Sequence, residues 1–333
     1  MFAARCIGVS LAVFVLLYVC LSLAISRGWE LLCRLFPRAS ARSSADFLFA
    51  LRILPLAFAS AVTVAFTIPS FLLLEPHATD EAIGRAPLAL GLCCLLLLGA
   101  GMARAALAQM KASRALVKWL EGSTMMESST LKACEMDSQE LETRAAVPVF
   151  RTGNNAPTFT VAGLCAPKVL VSEAAVAALN PPELRTALRH EIAHARRYDN
   201  LKKLLFRFST FPGMAGLENA WSEQTEMAAD DAAVSSFRDA LDLAAALIKV
   251  SRLGHVECCE LTTALLHSST ALSARVQRLV AWDKMVWDKM RTTRSNTSWH
   301  YMLPAAAVTV LGVVATYGTV LNKMHAVTEW LVR

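Results

Sequence analysis

Residues 189–200 read RHEIAHARRYDN. On a helix, His190 and His194 stand one turn apart and project from one face, so both imidazoles can reach a single metal ion. Glu191 is about 100° round the helix from His190, an offset that suits a carboxylate beside a metal's water but outside the ligand set. A zinc ion lowers the pKa of its water toward neutrality, and a glutamate so placed can take the proton as that water attacks a carbonyl. The helix also has a clear start. Asn180-Pro181-Pro182-Glu183 offers an N-cap side chain, prolines where a missing N–H costs nothing, and a glutamate at the capping-box position. The pattern predicts a helix from there to about Tyr198.

The competing reading is a solvated basic helix, since Arg185, Arg189, Arg196 and Arg197 lie on the same stretch. A catalytic zinc site needs a third protein ligand. In SEQTEMAADDAAV, Glu226 and Asp230 are spaced i,i+4 on the next predicted helix. Glu226 can complete a His-His-Glu set, and Asp230 one turn on can hold a ligand or a neighbouring helix in place. Glu223 is the alternative ligand; an exposed acidic face shared with Glu218, Glu223 and Asp231 is the alternative to any site at all. Asp199 falls where it can accept the second imidazole N–H of a ligand histidine, or pair with Arg196.

The rest of the chain sets this stretch in a membrane protein. Among its 333 residues 55% are hydrophobic and 18% charged, with a mean hydropathy of +0.43. The apolar excess is concentrated in four uncharged runs at about 6–25, 53–74, 86–103 and 302–321, each long enough to span a bilayer as a helix. The first run is read as a retained span rather than a signal peptide, because Arg27 and Trp29 follow it as an anchor would. Arg27, Arg34, Arg38 and Arg42 fill the first loop, and Arg104, Lys111, Arg114 and Lys118 follow the third run. The positive-inside bias therefore predicts a cytoplasmic first loop, a cytoplasmic large domain and external termini. The net charge of +6 comes largely from these flanks, so direct nucleic-acid binding has no support. Nine cysteines show no metal-knuckle or redox spacing.

The expected organisation is three spans in 1–110, an inserted cytoplasmic domain in 111–298, and a fourth span with a short tail in 299–333. A basic amphipathic helix over 105–120 continues the third span. Three short β-prone segments, 147–151, 158–162 and 169–172, predict a small antiparallel sheet, and helices are expected over 216–237, 239–252 and 272–290.

PKVLVSEAAVAALNPPELRTALRHEIAHARRYDNLKKLL resembles the core of the BlaR/MecR-type membrane zinc metallopeptidases, the beta-lactam sensor-transducer group. EMAADDAA resembles the E-x-x-x-D-x-x-A motif of that group and of the related HtpX-type peptidases, and LSARVQRLV resembles the group's Arg-containing helix before the last span. The resemblance implies a mainly α membrane protein with an inserted α+β, gluzincin-like domain. It implies one Zn2+ on His190, His194 and Glu226, with Glu191 as general base, in the inner membrane of a bacterium. The implied partners are membrane lipid and a protein or peptide substrate, either a cytoplasmic protein such as a winged-helix repressor or the chain itself; oligomeric state is left open. It further implies an extended substrate held on an open sheet edge, for which Thr158, Phe159, Thr160, Val161 and Ala162 are the best candidates. His255 and His267 are candidates for oxyanion stabilisation. One departure matters: only 322–333 follow the last run, so the group's extracellular penicillin-binding domain, and with it direct beta-lactam sensing, is not expected. An HtpX-like quality-control protease and a signalling scaffold with structural zinc are the competing readings.

Overall fold

The structure is a computed structural model and describes residues 2–35, 40–74, 84–126, 147–153, 156–253, 261, 263–264, 269–282 and 316–328. It is mainly helical, and three of its helices are long and apolar enough to cross a membrane. These are α1 (Phe2–Leu35), the pair α2 (Ala41–Val62) and α3 (Ile68–Leu74) joined by a π turn, and α4 (Arg85–Leu120). All three run past the apolar segments expected of them. The second begins well before residue 53 because Ser40 caps it, its side chain accepting from the Ser43 N–H at 3.2 Å. Arg52 thereby falls inside a helix rather than at its edge.

The π turn, Thr63–Thr67, lies just before Pro69, whose ring cannot sit over the carbonyl of residue 65 in a regular helix. That freed Ala65 carbonyl accepts the Tyr317 hydroxyl at 2.9 Å. Of the expected fourth span, residues 302–315 lie outside the described residues; residues 316–328 are helical.

The region after α4 is built on a five-stranded sheet in the order β1-β2-β4-β3-β5, with β1 Thr124–Met125, β2 Val149–Thr152, β3 Phe159–Ala162, β4 Lys168–Ser172 and β5 Thr263–Ala264. The expectation of an antiparallel sheet needs correction: β2 and β4 are parallel, and the other pairs antiparallel. The β3–β4 hairpin sets its second strand between β2 and β3, so β2 meets a strand running its own way. The hairpin turns at Gly163, where φ is +99° and a Cβ would lie 2.7 Å from the Ala166 carbonyl. The open-edge expectation for Thr158–Ala162 also fails. All four residues of β3 are buried, and Thr160 and Val161 pair with β5 on the side away from β4. A two-residue strand leaves too little periodicity to be read in advance.

Period-two alternation divides the sheet's faces. Val169 and Val171 pack with Phe159 and Val161 against α6 (Pro181–Arg196) and α9 (Phe237–Ser251), and Leu170 and Ala162 pack against Trp119 of α4. A short helix, α5 (Glu173–Ala178), leads from β4 to α6. Between α6 and α9 lie α7 (Asp199–Phe208) and α8 (Ala215–Ala233). Phe206, Met214, Leu217 and Trp221 of this pair share one apolar cluster with Ile25, Ala45, Leu48 and Leu51 of the first two spans. Gly101 of α4 lets α7 approach so closely that a Cβ there would meet the Phe208 carbonyl at 2.3 Å. The last helix of the region, α10 (Ser269–Val280), packs on α9. Helix ends differ from expectation by a few residues: α6 stops at Arg196, and α8 stops at Ala233 because Ser236 caps a new helix there.

Candidate metal centre

The helix that carries the histidines is fixed at its start by a complete capping box. Asn180 Oδ1 accepts from the Glu183 N–H at 2.9 Å, and Glu183 Oε2 accepts from the Asn180 N–H at 2.9 Å. Lys249 of α9 then donates to both oxygens of Glu183. From this start the 3.6-residue period carries His190 and His194 onto one buried face, with Glu191 beside them, at 0%, 1% and 0% exposure.

Glu226 enters from α8. The His190 and His194 Nε2 atoms are 3.1 Å apart, Glu226 Oε2 is 3.5 Å from the first, and Oε1 is 3.6 Å from the second. Two ligands of a tetrahedral ion with bonds of 2.0–2.1 Å lie ~3.3 Å apart; the two nitrogens are near that spacing, each has one Glu226 oxygen at a similar distance, and one ligand atom from each of the three residues lies within 4.8 Å of the others. Among the described residues this is the one His/Cys/Asp/Glu group that could hold a metal ion. Glu223 is exposed and outside it.

The remaining nitrogens of the two rings are also engaged. His194 Nδ1 is 2.8 Å from Asp199 Oδ2, and His190 Nδ1 is 2.9 Å from Asp230 Oδ1, the latter off the line of a well-formed hydrogen bond. Asp199 reaches His194 because the chain breaks at Tyr198, which adopts a left-handed conformation with φ of 53° and turns α7 away from α6. Its basic partners are Lys202 at 3.2 Å and Arg197 at 3.6 Å rather than Arg196.

Two residues here were given no role by sequence reasoning. Arg275 of α10 is 3% exposed; its Nε and Nη2 donate to the two oxygens of Asp230 at 2.9 and 2.6 Å, and its Nη1 donates to Glu226 Oε2 at 2.9 Å. The only signal was the arginine in LSARVQRLV. Asn200 donates to the carbonyls of Val161 and Gly163 at 2.9 and 3.2 Å, tying the start of α7 to β3. His255 and His267 lie outside the described residues.

The electrostatics follow from this crowding. Burial pushes the Glu191 carboxyl up to about 7. Burial would lower His194, yet the Glu226 and Asp199 carboxylates outweigh it and raise the ring to about 10. Burial would raise Asp230 as well, but Arg275 and His190 hold it down at about 2. Glu226 is held well below its usual range by His194 and Arg275 despite its burial. Glu191, Asp199, Glu226 and Asp230 are all buried; Arg275 pairs with Glu226 and Asp230, and Lys202 and Arg197 with Asp199, which leaves an excess of carboxylate. Protons on the histidines and on Glu191 are one way to neutralise that excess; a divalent cation is the other.

One test of fit is independent of the ligand geometry. Both oxygens of Glu191 are buried with no hydrogen-bond partner among the described residues. A buried carboxylate in that condition costs free energy unless something donates to it, and a water held by an ion between His190, His194 and Glu226 would do so. The residues fit a metal. No protein-family model matches this chain, and no curated protein matches it.

Proposed function

We propose that the protein is a membrane zinc endopeptidase that uses His190, His194 and Glu226 as ligands and Glu191 as general base. The observation that carries this reading is the buried Glu191 carboxylate, unpartnered among the described residues, beside a buried His-His-Glu group whose ligand atoms lie within 4.8 Å of one another. A structural metal site has no use for such a group. Two nitrogens and one carboxylate oxygen are also the donor set of catalytic zinc.

When bound, zinc supplies Lewis acidity: it polarises a carbonyl and acidifies a water. The chain's own residues do the rest. Glu191 accepts the proton of the attacking water and can return it to the departing amine. Asp199 and Asp230 orient the imidazoles through their second nitrogens, which fixes the nitrogens that face the ion. Arg275 holds Glu226 and Asp230 in one arrangement. The likeness of these motifs to the BlaR/MecR-type peptidases supports a cytoplasmic protein, such as a winged-helix repressor, or the chain itself as substrate. The basic residues flanking the spans support a cytoplasmic position for the site.

Metal analysis of the purified full-length protein in detergent tests the ligands. One zinc per chain is expected, with most of it lost in His190→Ala, His194→Ala and Glu226→Ala but retained in Glu223→Ala. Full occupancy in the His190→Ala, His194→Ala double variant would sink the assignment. Glu191→Gln should keep the zinc and lose all cleavage of an unstructured protein substrate; unchanged cleavage would remove Glu191 from the mechanism.

A further inference from the structure

A second buried arginine lies on the membrane side of the molecule. Arg52 of α2 is 1% exposed. Its Nε donates to Glu218 Oε1 at 2.8 Å, its Nη1 to Ser209 Oγ at 3.1 Å, and its Nη2 to the carbonyls of Ser209 and Phe206 at 2.8 and 3.4 Å. The guanidinium also lies 5.4 Å from the centre of the Phe206 ring. Tyr18 of α1 donates to the same Ser209 carbonyl at 2.8 Å. Ser209 caps the C-terminus of α7, where unpaired carbonyls and the negative end of the helix dipole favour a cation. Glu218 is in the first turn of α8.

The opposite end of α7 and the later half of α8 are at the metal site. Asp199, which holds His194, begins α7 about 15 Å from Ser209, and Glu226 follows Glu218 by two turns, about 12 Å along α8. One side chain of the second span therefore grips both helices that bring groups to the site from outside α6. We infer that Arg52 is a positioning residue for the metal ligands: by clamping the membrane-side ends of α7 and α8 it sets where Asp199 and Glu226 stand. A displacement of the second span then reaches the site through two rigid helices rather than through a loop.

The inference rests on the metal reading above, and the test separates the two. Cobalt(II) is titrated into the metal-free full-length protein in detergent; its visible absorption reports ligand geometry directly. Glu218→Gln keeps an oxygen that can accept from Arg52 Nε but leaves the buried guanidinium without its carboxylate, so the unfolding temperature of the metal-free protein is measured beside cobalt binding to separate positioning from loss of fold. The variant should weaken cobalt binding about tenfold and change the band shape. Arg52→Lys should lie between the unaltered protein and Arg52→Met, because an ammonium cannot reach all four partners in one fork. If Arg52→Met does not fold, the other two variants carry the test. Unaltered cobalt affinity and spectrum in both Glu218→Gln and Arg52→Lys would overturn the inference alone. No cobalt binding by the unaltered protein would overturn the metal reading and the inference with it.

Discussion

Arg275 and Arg52, the most deeply buried arginines among the described residues, answer one physical problem in opposite ways. Among the described residues Arg275 makes three charge-assisted hydrogen bonds to two carboxylates, both buried. Arg52 makes three of its four bonds to a hydroxyl and two carbonyls, and its single carboxylate partner is one-third exposed. The first network holds more negative charge than its own cation can balance, so it is complete only with protons or a metal. The second is closed as it stands. Burying a charge is sustainable only where it is paired and hydrogen-bonded, and an unbalanced network therefore marks the place where something binds, while a balanced one marks a mechanical joint.

Removing Arg275 should break this contrast with the largest effect. Arg275→Met leaves Glu226 and Asp230 buried without their guanidinium, which is expected to destabilise the metal-free protein by about 3–5 kcal/mol. Denaturant unfolding in detergent, with chelator present, measures it. A loss below about 1 kcal/mol would mean that the carboxylates are already neutral and the network is not overcharged.

Glu191 sharpens the same point through pH. Its carboxyl sits at about 7 in the folded metal-free protein against an ordinary 4.5. The unfolded chain thus ionises first, and the folded state loses stability as pH rises from 4.5 through 7, levelling off above. The full difference is about 3 kcal/mol. Glu191→Gln removes the ionisation, so the variant should gain on the unaltered protein between pH 5 and pH 8 and match its trend below pH 4. Parallel stability profiles across that range would show that Glu191 is not held as an unpaired acid.

Much of the site network is legible in the sequence, and almost none of the Arg52 network is. His190, Glu191, His194 and the capping box sit within one helix, and Glu226 and Asp230 are one turn apart, so local period and spacing reveal them. Arg275 meets Asp230 across 45 positions and Arg52 meets Glu218 across 166, and no local pattern encodes such a contact. The uncharged run at 53–74 stops short of Arg52, because a charge reads as the end of an apolar run unless its partners are known. The sheet shows the same limit. Three of its five strands fall within two residues of the expected segments, whereas β1 and β5, two residues each, have no expected counterpart, and the parallel β2–β4 pair carries no turn signal.

Asp199 belongs to the site network at one end of α7, and Asp199→Asn probes it more gently. The amide oxygen can still accept from His194 Nδ1, but without the charge that raises the ring's basicity. Metal affinity should fall about 10- to 100-fold with the three ligands intact, as measured by competition with a chromophoric chelator. An unchanged affinity would detach Asp199, and with it the start of α7, from the metal.

The smallest effect is expected at the joint where the site helix meets the helix gripped by Arg52. Tyr198 has φ of 53°, a left-handed conformation that costs a residue with a Cβ about 1–2 kcal/mol. Its side chain is 49% exposed, so little packing offsets that cost. Glycine adopts the conformation freely but enlarges the unfolded ensemble by a comparable amount, about 0.5–1 kcal/mol. Tyr198→Gly should therefore change global stability by less than about 1 kcal/mol in either direction. Its informative readout is the coupling itself. With a freer joint, α7 can follow Arg52 without carrying α6, so the cobalt response to Glu218→Gln should persist through α8 and Glu226 while the contribution through Asp199 shrinks. A stability loss above about 2 kcal/mol would instead show that the tyrosine ring anchors the turn, and the two networks would then be joined by packing rather than by backbone geometry.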